Sequence, residues 1–366
     1  MMRVLHVTEA MGSGVLSVVD SISRRQAEAC ADVRVMFVPR PETPTDEALR
    51  ARFHPAVALD RISTGGRIGD LRALHHALRR DDSADVVHAH SSFAGAIVRQ
   101  ALRGRRDPST VFYSPHGFAF LRLDLPRVAR AAFRAVERNL AHHSTLILTS
   151  PSEYAVAQSA LAPARAHLLQ TGVASETVAR RARRPDRMRR PVVGMVGRVT
   201  YQKAPWRFAA AARALEDRAD FVWIGGGDAA DESRWLADAP VRVTGWVSPA
   251  ELSALIDGLD VLLFPSLWEG MSLSLIQAQA QGLPAVVSDV VGNRDTVDDG
   301  VTGFVRDTDE GLIAATALLL DDAGLRERMS VAALEWARHS LTDDEVGHDS
   351  LALYDVARVS REVASR

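Results

Sequence analysis

The stretch VLLFPSLWEGMSLSLIQAQAQGLPAVVSD, residues 261–289, reads as a strand, a loop, a helix and a second strand. Its first four residues and residues 284–288 are short apolar runs, which are typical of buried strands. The helix is expected to open near Gly270 and carries apolar residues at helical spacing. Two buried strands joined through a helix predict a parallel sheet that helices cover on both faces. The stretch therefore predicts a doubly wound α/β domain.

The same alternation recurs over both halves of the chain, which predicts two Rossmann-like domains. We place the N-terminal domain at residues 1–185 and the C-terminal domain at residues 186–342. A last amphipathic helix, over 343–366, could cross back to the N-terminal domain. Predicted strands of the first half are 4–8, 33–38, 86–89, 111–114 and 146–149, with helices at 71–78, 94–102 and 128–140. Those of the second half are 192–196, 221–224, 241–244, 261–264, 285–288 and 303–306.

Charge divides the chain near the expected domain boundary. Residues 1–190 hold 29 basic and 18 acidic residues, whereas residues 191–366 hold 15 and 28. The segment RRARRPDRMRRP, residues 180–191, is predicted to be an exposed hinge, and a plain solvated linker is the alternative. A positive half suggests an anionic partner such as a lipid phosphate, a membrane surface or a nucleic acid. Nucleic acid is the weakest of these, because zinc-finger, RNP and aromatic-and-basic patterns are missing from the sequence.

Composition excludes several classes of protein. Apolar residues make up 47% of the 366 residues and charged residues 25%, as in a globular enzyme. The start MMRVLHVTEA lacks the pattern of a signal peptide, and apolar runs fall short of the roughly 20 residues that cross a bilayer. We expect a cytoplasmic protein and leave peripheral attachment to the inner face of the membrane open. Cys30 is the only cysteine, so it is expected to be a small core residue.

Glycines follow two predicted strands, where doubly wound sheets bind their ligands. Gly12 and Gly14 stand in EAMGSGVLSVV, residues 9–19, and permit a tight turn whose backbone N–H groups face a phosphate. Three glycines, with Gly226 in the middle, follow the strand at 221–224 and allow close approach to a ligand. In both places a simple flexible turn is the alternative.

Two cations follow the first strand of the second half, in GRVTYQK, residues 197–203. A diphosphate leaving group needs fixed positive charges, and Arg198 and Lys203, beside Gly197, would supply them. Lys203 is the only lysine in a chain with 43 arginines. A surface lysine is the alternative, but its position in this motif favours a phosphate clamp.

The loop and helix of the opening stretch add a carboxylate and an amide. Glu269 and Gln277 are eight residues apart, slightly over two helical turns, so we expect them along one side of the ligand-facing end. Glu269 would hold a sugar hydroxyl and Gln277 a ribose diol. Backbone amides at the expected helix start suit a phosphate and belong to Gly270, Met271, Ser272 and Leu273.

These segments together resemble the retaining GT-B glycosyltransferases of family 4, and the resemblance covers nearly the whole chain. It implies two Rossmann-like domains facing across a cleft, the first binding the acceptor and the second a UDP- or GDP-sugar. Arg198 and Lys203 would bind the donor diphosphate, and Glu269 would contact the transferred sugar. Gln277 stands where that family normally has a ribose-binding glutamate. The implied reaction moves a hexose-type sugar to an acceptor hydroxyl with retention, in cell-surface polysaccharide or glycolipid synthesis, without a cofactor.

Two segments of the first half also resemble the capsule and exopolysaccharide members of that family, HAHSSFAGAIV at 88–98 and FYSPHGFAFLRLDLP at 112–126. The resemblance implies that His116 approaches the donor sugar and that His88, His90 and Ser91 line the acceptor side. A histidine that is only hydrogen-bonded at a strand end is the alternative. His88 and His90 could also form a metal pair, but the sequence shows no third ligand with them.

A metal is not expected to take part. Asp307-Thr308-Asp309 looks like a metal-binding motif of another glycosyltransferase fold, but we interpret it as a surface turn after the late strand. An inverting enzyme would need a carboxylate base, for which Glu9 and Asp124 are the candidates. Two other functions stay open, a nucleotide-sugar epimerase of the same architecture and a nucleotide-sugar-binding protein with a weakened site.

A basic helix could explain an anionic partner. One side of the predicted helix after Pro126 carries Arg127, Arg130, Arg134 and Arg138. Basic amphipathic helices can lie on anionic membranes, and an ordinary solvated face is the alternative. The acceptor implied by the resemblance is a lipid-linked glycan or another glycan.

Overall fold

The computed structural model describes residues 1–179 and 189–364. The chain forms two compact units, which are considered one at a time. The first contains Met1–Leu121, Leu125–Thr171 and the chain from Asp343 onward, and the second contains Arg122–Asp124 and Gly172–Thr342. The predicted domain boundary, between residues 185 and 186, and most of the predicted hinge at 180–191 lie outside the described residues.

The first unit is built on one parallel sheet. Its strands are β1 (Arg3–Thr8), β2 (Asp32–Phe37), β3 (Ala58–Arg61), β4 (Val86–His90), β5 (Val111–Ser114), β6 (Thr145–Leu148) and β7 (Ala166–Leu168). Their order in the sheet is β3-β2-β1-β4-β5-β6-β7. Its helices before the second unit are α1 (Ser13–Glu28), α2 (Asp46–Arg52), α3 (Arg67–Arg80), α4 (Ser92–Leu102), α5 (Arg127–Leu140) and α6 (Pro151–Leu161).

The second unit repeats this architecture with six parallel strands. They are β8 (Val192–Val196), β9 (Asp220–Ile224), β10 (Val241–Val243), β11 (Val261–Phe264), β12 (Ala285–Ser288) and β13 (Gly303–Arg306), in the order β10-β9-β8-β11-β12-β13. The helices are α7 (Pro205–Ala214), α8 (Ala229–Leu236), α9 (Pro249–Asp257), α10 (Leu273–Ala280), α11 (Asn293–Thr296), α12 (Asp309–Asp321) and α13 (Ala323–Ser340). The two predicted doubly wound domains are therefore present.

The strands that position ligand-facing loops are buried on both faces. Every residue of β4, β5, β6 and β11 is buried, which is why these strands read as mainly apolar runs, with polar residues at strand ends and His88 within β4. The edge strands β3 and β7 escaped prediction, because their residues are polar or partly exposed and form no apolar run.

The last helix belongs to the first unit. Helix α14 (Val346–Ala364) packs against α1, and Gly347 lies so close to Arg25 that a Cβ atom there would collide with it. Val346 and Tyr354 join a core cluster with Ile22 and Phe112. Among the described residues, no helix combines the length and apolar character that a membrane span needs.

Cys30 is exposed, so its predicted place in the core was wrong. Helix α1 ends at Glu28, and Cys30 takes a left-handed conformation with φ of 63° in the tight turn to β2. Its N–H donates to the carbonyl of Ala27. Cys30 therefore occupies the left-handed position that follows the end of α1, where glycine is more usual.

Candidate active site

Polar loops of the second unit meet because β8 and β11 are neighbours in the sheet. The loop after β8 ends in a short 3₁₀ turn, Tyr201–Lys203, and the loop after β11 carries Glu269. The Lys203 ammonium donates to the Glu269 carboxylate at an Nζ–Oε1 distance of 2.7 Å. The structure thus joins two residues that were predicted for separate parts of the donor.

This ion pair lies in a largely buried setting. The side chains of Lys203 and Glu269 are only 14% and 7% exposed, and the Lys203 ammonium lies 4.3 Å from the centre of the Phe264 ring. Gln202 donates to the backbone carbonyl of Trp268 at 2.9 Å and to the second carboxylate oxygen of Glu269 at 3.3 Å. Both Glu269 oxygens therefore have donors, and the lysine is held in one place before any ligand arrives.

Arg198 provides a positive charge that this pair does not neutralise. It is exposed and makes no hydrogen bond or ion pair within residues 1–179 and 189–364. It follows Gly197, whose φ of +148° is accessible mainly to glycine. The loop after β8 therefore presents one cation that Glu269 holds in place and one that is exposed to a ligand.

The helix that follows Glu269 begins later than predicted. Helix α10 starts at Leu273 with Ser272 as its N-cap, so Gly270 and Met271 belong to the loop. The reason is a contact with a distant part of the chain, since Gly270 packs directly against Gly292, where a side chain would collide with the Gly270 carbonyl. The free N–H groups of the first helical turn begin at Leu273, and Ser272 stands at their entrance.

Gln277 lies on this helix and is half-buried. Its side-chain amide has no hydrogen-bond partner in the part of the chain that the structure describes. Glu269 precedes α10, so the prediction that Glu269 and Gln277 are aligned along one helix was wrong. Both residues are still within a few positions of the start of α10. An amide without a protein partner is available to a ligand hydroxyl.

The predicted glycines serve mainly close packing and a helix start. Gly12 is the N-cap residue of α1, and Gly14 lies in its first turn. Side chains at Gly225 and Gly227 would collide with the backbone of Gly197 and Val199. These two glycines therefore allow the loop after β9 to pack closely against the loop after β8. A Cβ at Gly226 would lie 3.3 Å from the Trp246 ring.

The carboxyl ends of β1, β4 and β5 bring four histidines together in the first unit. His90 Nδ1 lies 2.9 Å from His116 Nε2, and His90 Nε2 lies 2.9 Å from His6 Nδ1. His6 Nε2 lies 2.8 Å from the Gln26 carbonyl oxygen of α1. His88 contacts the hydroxyls of Tyr354 at 2.7 Å and Ser114 at 2.9 Å.

Burial keeps these rings neutral. It lowers the pKa of His6 and that of His116 to about 4, and lowers the pKa of His88 and His90 well below the usual value, with neighbouring rings as a smaller cause. His116 is half-buried with a left-handed φ of 52°, whereas the other three rings are buried. His116 is thus the member of the cluster that remains accessible to a ligand.

His6 and Gln26 were missed by sequence reasoning. His6 is the direct partner of His88 across β1 and β4, and a strand-end histidine at the first strand was the signal that could have found it. His6 also supplies the third histidine that the metal-pair interpretation lacked, because its ring nitrogen lies within 4.8 Å of those of His88 and His90. Both nitrogens of His88 already have hydroxyl partners, however, so coordination would break an existing hydrogen bond.

The remaining predicted residues of the first unit are already engaged. Ser91 has a φ of 77° and donates its hydroxyl to Glu9. Glu9 also accepts from Arg40 at 2.7 Å and from the N–H of Ala94 at 3.1 Å. Three donors therefore occupy the Glu9 carboxylate, which leaves it poorly placed as a base.

Asp124 and the Asp-Thr-Asp segment are surface features. The hydrogen bond from Arg122 to Asp124, 2.6 Å long, lowers the pKa of this carboxyl, which weakens it as a base. Thr308 caps α12, and Asp309 pairs with Arg207 at 2.9 Å. The interpretation of residues 307–309 as a surface turn agrees with this arrangement.

Two family profiles match the chain. The one described as "Glycosyl transferase 4-like domain" matches residues 13–172, and the one described as "Glycosyl transferases group 1" matches residues 190–322. The alpha-D-kanosaminyltransferase of Streptomyces kanamyceticus is 30% identical over 297 residues, 72% of this chain and 76% of that protein. The chain belongs to the family 4 glycosyltransferases.

Two further similarities agree with this glycosyltransferase family. The UDP-Gal:alpha-D-GlcNAc-diphosphoundecaprenol alpha-1,3-galactosyltransferase of Escherichia coli is 27% identical over 302 residues, 76% of each chain. Sucrose-phosphate synthase from Thermosynechococcus elongatus has a TM-score of 0.82 at 17% identity, over 98% of this chain and 100% of that one. At this identity the structural similarity shows the fold, and it confirms the GT-B prediction for this glycosyltransferase.

Proposed function

We propose that this glycosyltransferase moves a hexose-type sugar from a UDP- or GDP-sugar to an acceptor hydroxyl, with retention and without a metal. The observation that carries the proposal is the Lys203–Glu269 pair at the carboxyl ends of adjacent strands, together with the exposed Arg198 of the same loop, which has no partner among the described residues. Cations held at that edge suit the diphosphate of a donor. The half-buried Gln277 amide would bind the donor ribose.

The clamp acts on charge that grows during the reaction. As the bond from the anomeric carbon to the diphosphate oxygen breaks, negative charge develops on the leaving group. Lys203, Arg198 and the first N–H groups of α10 stabilise that charge. Glu269 holds Lys203 in place in advance, and the helix start holds its N–H groups, so little reorganisation of these groups accompanies the reaction.

Retention requires no protein base. The acceptor hydroxyl attacks on the face that the diphosphate leaves, its oxygen bonds to the anomeric carbon, and its proton passes to a diphosphate oxygen. The alternative of inversion needs a carboxylate base, and neither candidate suits this role. Glu9 is occupied by three donors, and Asp124 is paired with Arg122. An anomeric assignment of the product by NMR tests retention directly.

Metal independence follows from the same clamp. Its lysine and arginine supply the positive charge for which other enzymes use a divalent ion. In residues 1–179 and 189–364, only His6, His88 and His90 form a group that could ligate a metal, and these rings are hydrogen-bonded to protein partners. Turnover should be unchanged in EDTA. Lost activity that Mg²⁺ or Mn²⁺ restores would contradict this.

We propose a lipid-linked glycan as the acceptor. The name of the E. coli relative contains diphosphoundecaprenol, so a similar protein uses a lipid-linked substrate.

Helix α5 fits an enzyme that works at a membrane surface. Its Arg127, Arg134 and Arg138 are exposed, while the half-buried Arg130 donates to the Phe120 carbonyl at 3.1 Å. Val128 is 82% and Val136 47% exposed on the same helix.

The first experiment is a thermal-shift screen against UDP, GDP, ADP and TDP, since ligands that bind the folded state raise its stability. All six tryptophans lie in the second unit, so intrinsic fluorescence reports on the unit that would bind nucleotide. UDP or GDP should stabilise the protein, and the matching donor should be consumed only with an acceptor present. Donor conversion without acceptor would instead favour an epimerase, and binding without turnover would indicate a binding protein.

A further inference from the structure

Gln26 has a defined orientation in the structure. The Ser350 hydroxyl of α14 donates its single hydrogen to the Gly347 carbonyl at 2.8 Å, so Ser350 can only accept from Gln26. The Gln26 amide NH₂ therefore faces Ser350, at 2.8 Å, and its carbonyl oxygen faces His6. The donor and acceptor roles of the groups around Gln26 thus determine the orientation of its side-chain amide.

This orientation determines the proton positions of three rings in turn. The Gln26 oxygen needs a donor, so His6 carries its proton on Nε2 and leaves Nδ1 as an acceptor. His6 Nδ1 then requires a proton on His90 Nε2, 2.9 Å away. Neutral His90 must accept at Nδ1, so His116 donates from Nε2, also at 2.9 Å. Every hydrogen bond in this chain points from His116 toward Gln26.

One acceptor is left at the end of the chain. Neutral His116 has its proton on Nε2, and its Nδ1 has no hydrogen-bond partner among the described residues. The ring lies parallel to that of His90, with 5° between the planes, and the backbone has a left-handed φ of 52°, which is uncommon among residues other than glycine. In this tautomer Nδ1 can accept a hydrogen bond from a hydroxyl group. A phosphate oxygen is disfavoured at Nδ1, because two acceptors would then face each other.

We infer that Gln26 is a positioning residue that fixes the tautomer of His116 through His6 and His90, so that His116 Nδ1 accepts a hydrogen bond from a sugar hydroxyl. The hydroxyl belongs to the sugar substrate of the proposed function, on which this inference rests. Helix α14 takes part through Ser350, so the C-terminal helix helps to define the chemistry of the site. The low pKa of His116, about 4, keeps this acceptor unprotonated near neutral pH.

The tautomer can be read directly by NMR of the ¹⁵N-labelled full-length protein at pH 7.5, with a His116→Gln spectrum for assignment. In the wild type we expect an unprotonated His116 Nδ1 and a protonated Nε2. Gln26→Met removes the fixed acceptor and should give a mixture of tautomers. Gln26→Glu keeps the size and offers His6 an oxygen that can only accept, so it should keep the direction of the chain and the wild-type His116 tautomer.

Tyr354→Phe is the matched control. It removes the hydroxyl beside His88 and the 3.5 Å contact with Gln26, but leaves the Gln26–Ser350 bond and the three-ring chain. It should keep the wild-type His116 tautomer. A wild-type His116 protonated on Nδ1 would overturn the inference, and so would an unchanged tautomer in Gln26→Met.

Analogues of the donor sugar and of the acceptor sugar that each lack one hydroxyl test the ligand. One analogue should bind wild type about 3- to 10-fold more weakly than its parent sugar substrate, the range of a neutral hydrogen bond, and His116→Ala should abolish that difference. Equal binding of all analogues by wild type would overturn the sugar contact. If wild type neither binds nor turns over any nucleotide sugar, the proposed function fails. If turnover is normal but His116 Nδ1 is protonated, only this inference fails.

Discussion

Lys203 and Glu269 show how a single ion pair can prepare a site for an anion. Two largely buried charges at 2.7 Å nearly cancel each other, so the pair alone attracts a diphosphate weakly. Arg198 is exposed and unpaired among the described residues, and it supplies the net charge. In this arrangement Glu269 keeps the lysine ordered, while Arg198 makes the site positive.

Removal of either cation should reduce turnover. Lys203→Ala and Arg198→Ala each remove a charged contact to the leaving group worth about 1.5–3 kcal/mol, or about 10- to 150-fold in kcat/KM. Only Lys203→Ala should also lower Tm, because it leaves the buried Glu269 without its cation. Steady-state kinetics and thermal unfolding measure both effects. Arg242→Ala, an exposed arginine of β10, is the control, and wild-type kinetics in both clamp variants would contradict the clamp.

Gln277 should matter for donor binding more than for chemistry. The ribose is far from the reacting carbon, so its contact is similar in ground and transition states. Gln277→Ala should raise the donor KM by roughly 5- to 30-fold, from about 1–2 kcal/mol of lost hydrogen bonding, with little change in kcat. Gln277→Glu should have an equal or lower KM. An unchanged KM in Gln277→Ala, or an inactive Gln277→Glu, would remove the residue from the ribose site.

Among the elements, the bounds of the central strands could be predicted, whereas the start of α10 and the contacts between loops could not. The strands β5, β8, β11 and β12 have the predicted bounds, because burial on both faces demands an unbroken apolar run. The start of α10 was missed by three residues, because the packing of Gly270 against Gly292 is a long-range contact. The Lys203–Glu269 bond was missed for a similar reason, since it depends on which strands are neighbours.

The histidine cluster shows the same limit within the first unit. The sequence places His88 and His90 at a strand end but does not show that β1 is the neighbour that brings His6 to them. It gives still less indication of Gln26 and Ser350, because these residues lie on helices far apart in the chain. Their meeting depends on how α14 packs against α1.

Helix α5 gives a prediction about the membrane. Reversing the charge of Arg127, Arg134 and Arg138 to glutamate should abolish binding to anionic vesicles, because each basic residue near such a surface contributes about 1 kcal/mol. Vesicle co-sedimentation at low and high salt measures the effect. The same reversal at the exposed Arg72, Arg79 and Arg80 of α3 is the control. If wild type and both variants bind equally, α5 is an ordinary solvated face.

At the scale of the whole molecule, the buried histidines make the stability of the first unit depend on pH. Burial lowers the pKa of His6 to about 4, whereas an unfolded histidine titrates near 6.5. Between these values the unfolded chain binds a proton that the folded unit does not, so stability is full above about 6.5 and is lost as the pH falls. His88 and His90, whose pKa values burial also lowers, act in the same direction.

We therefore expect the free energy of unfolding of the first unit to fall between pH 7.5 and pH 5, by about 2 kcal/mol from His6 alone. Urea unfolding at both pH values can separate the units, because tryptophan fluorescence follows the second unit and the NMR signals of His6, His88 and His90 follow the first. His6→Gln should weaken this pH dependence by about one proton, while the control His76→Gln, at an exposed position of α3, should leave it unchanged. A first unit that is equally stable at both pH values would mean that these rings take up protons in the folded protein as readily as in the unfolded chain, which contradicts the lowering of their pKa values by burial.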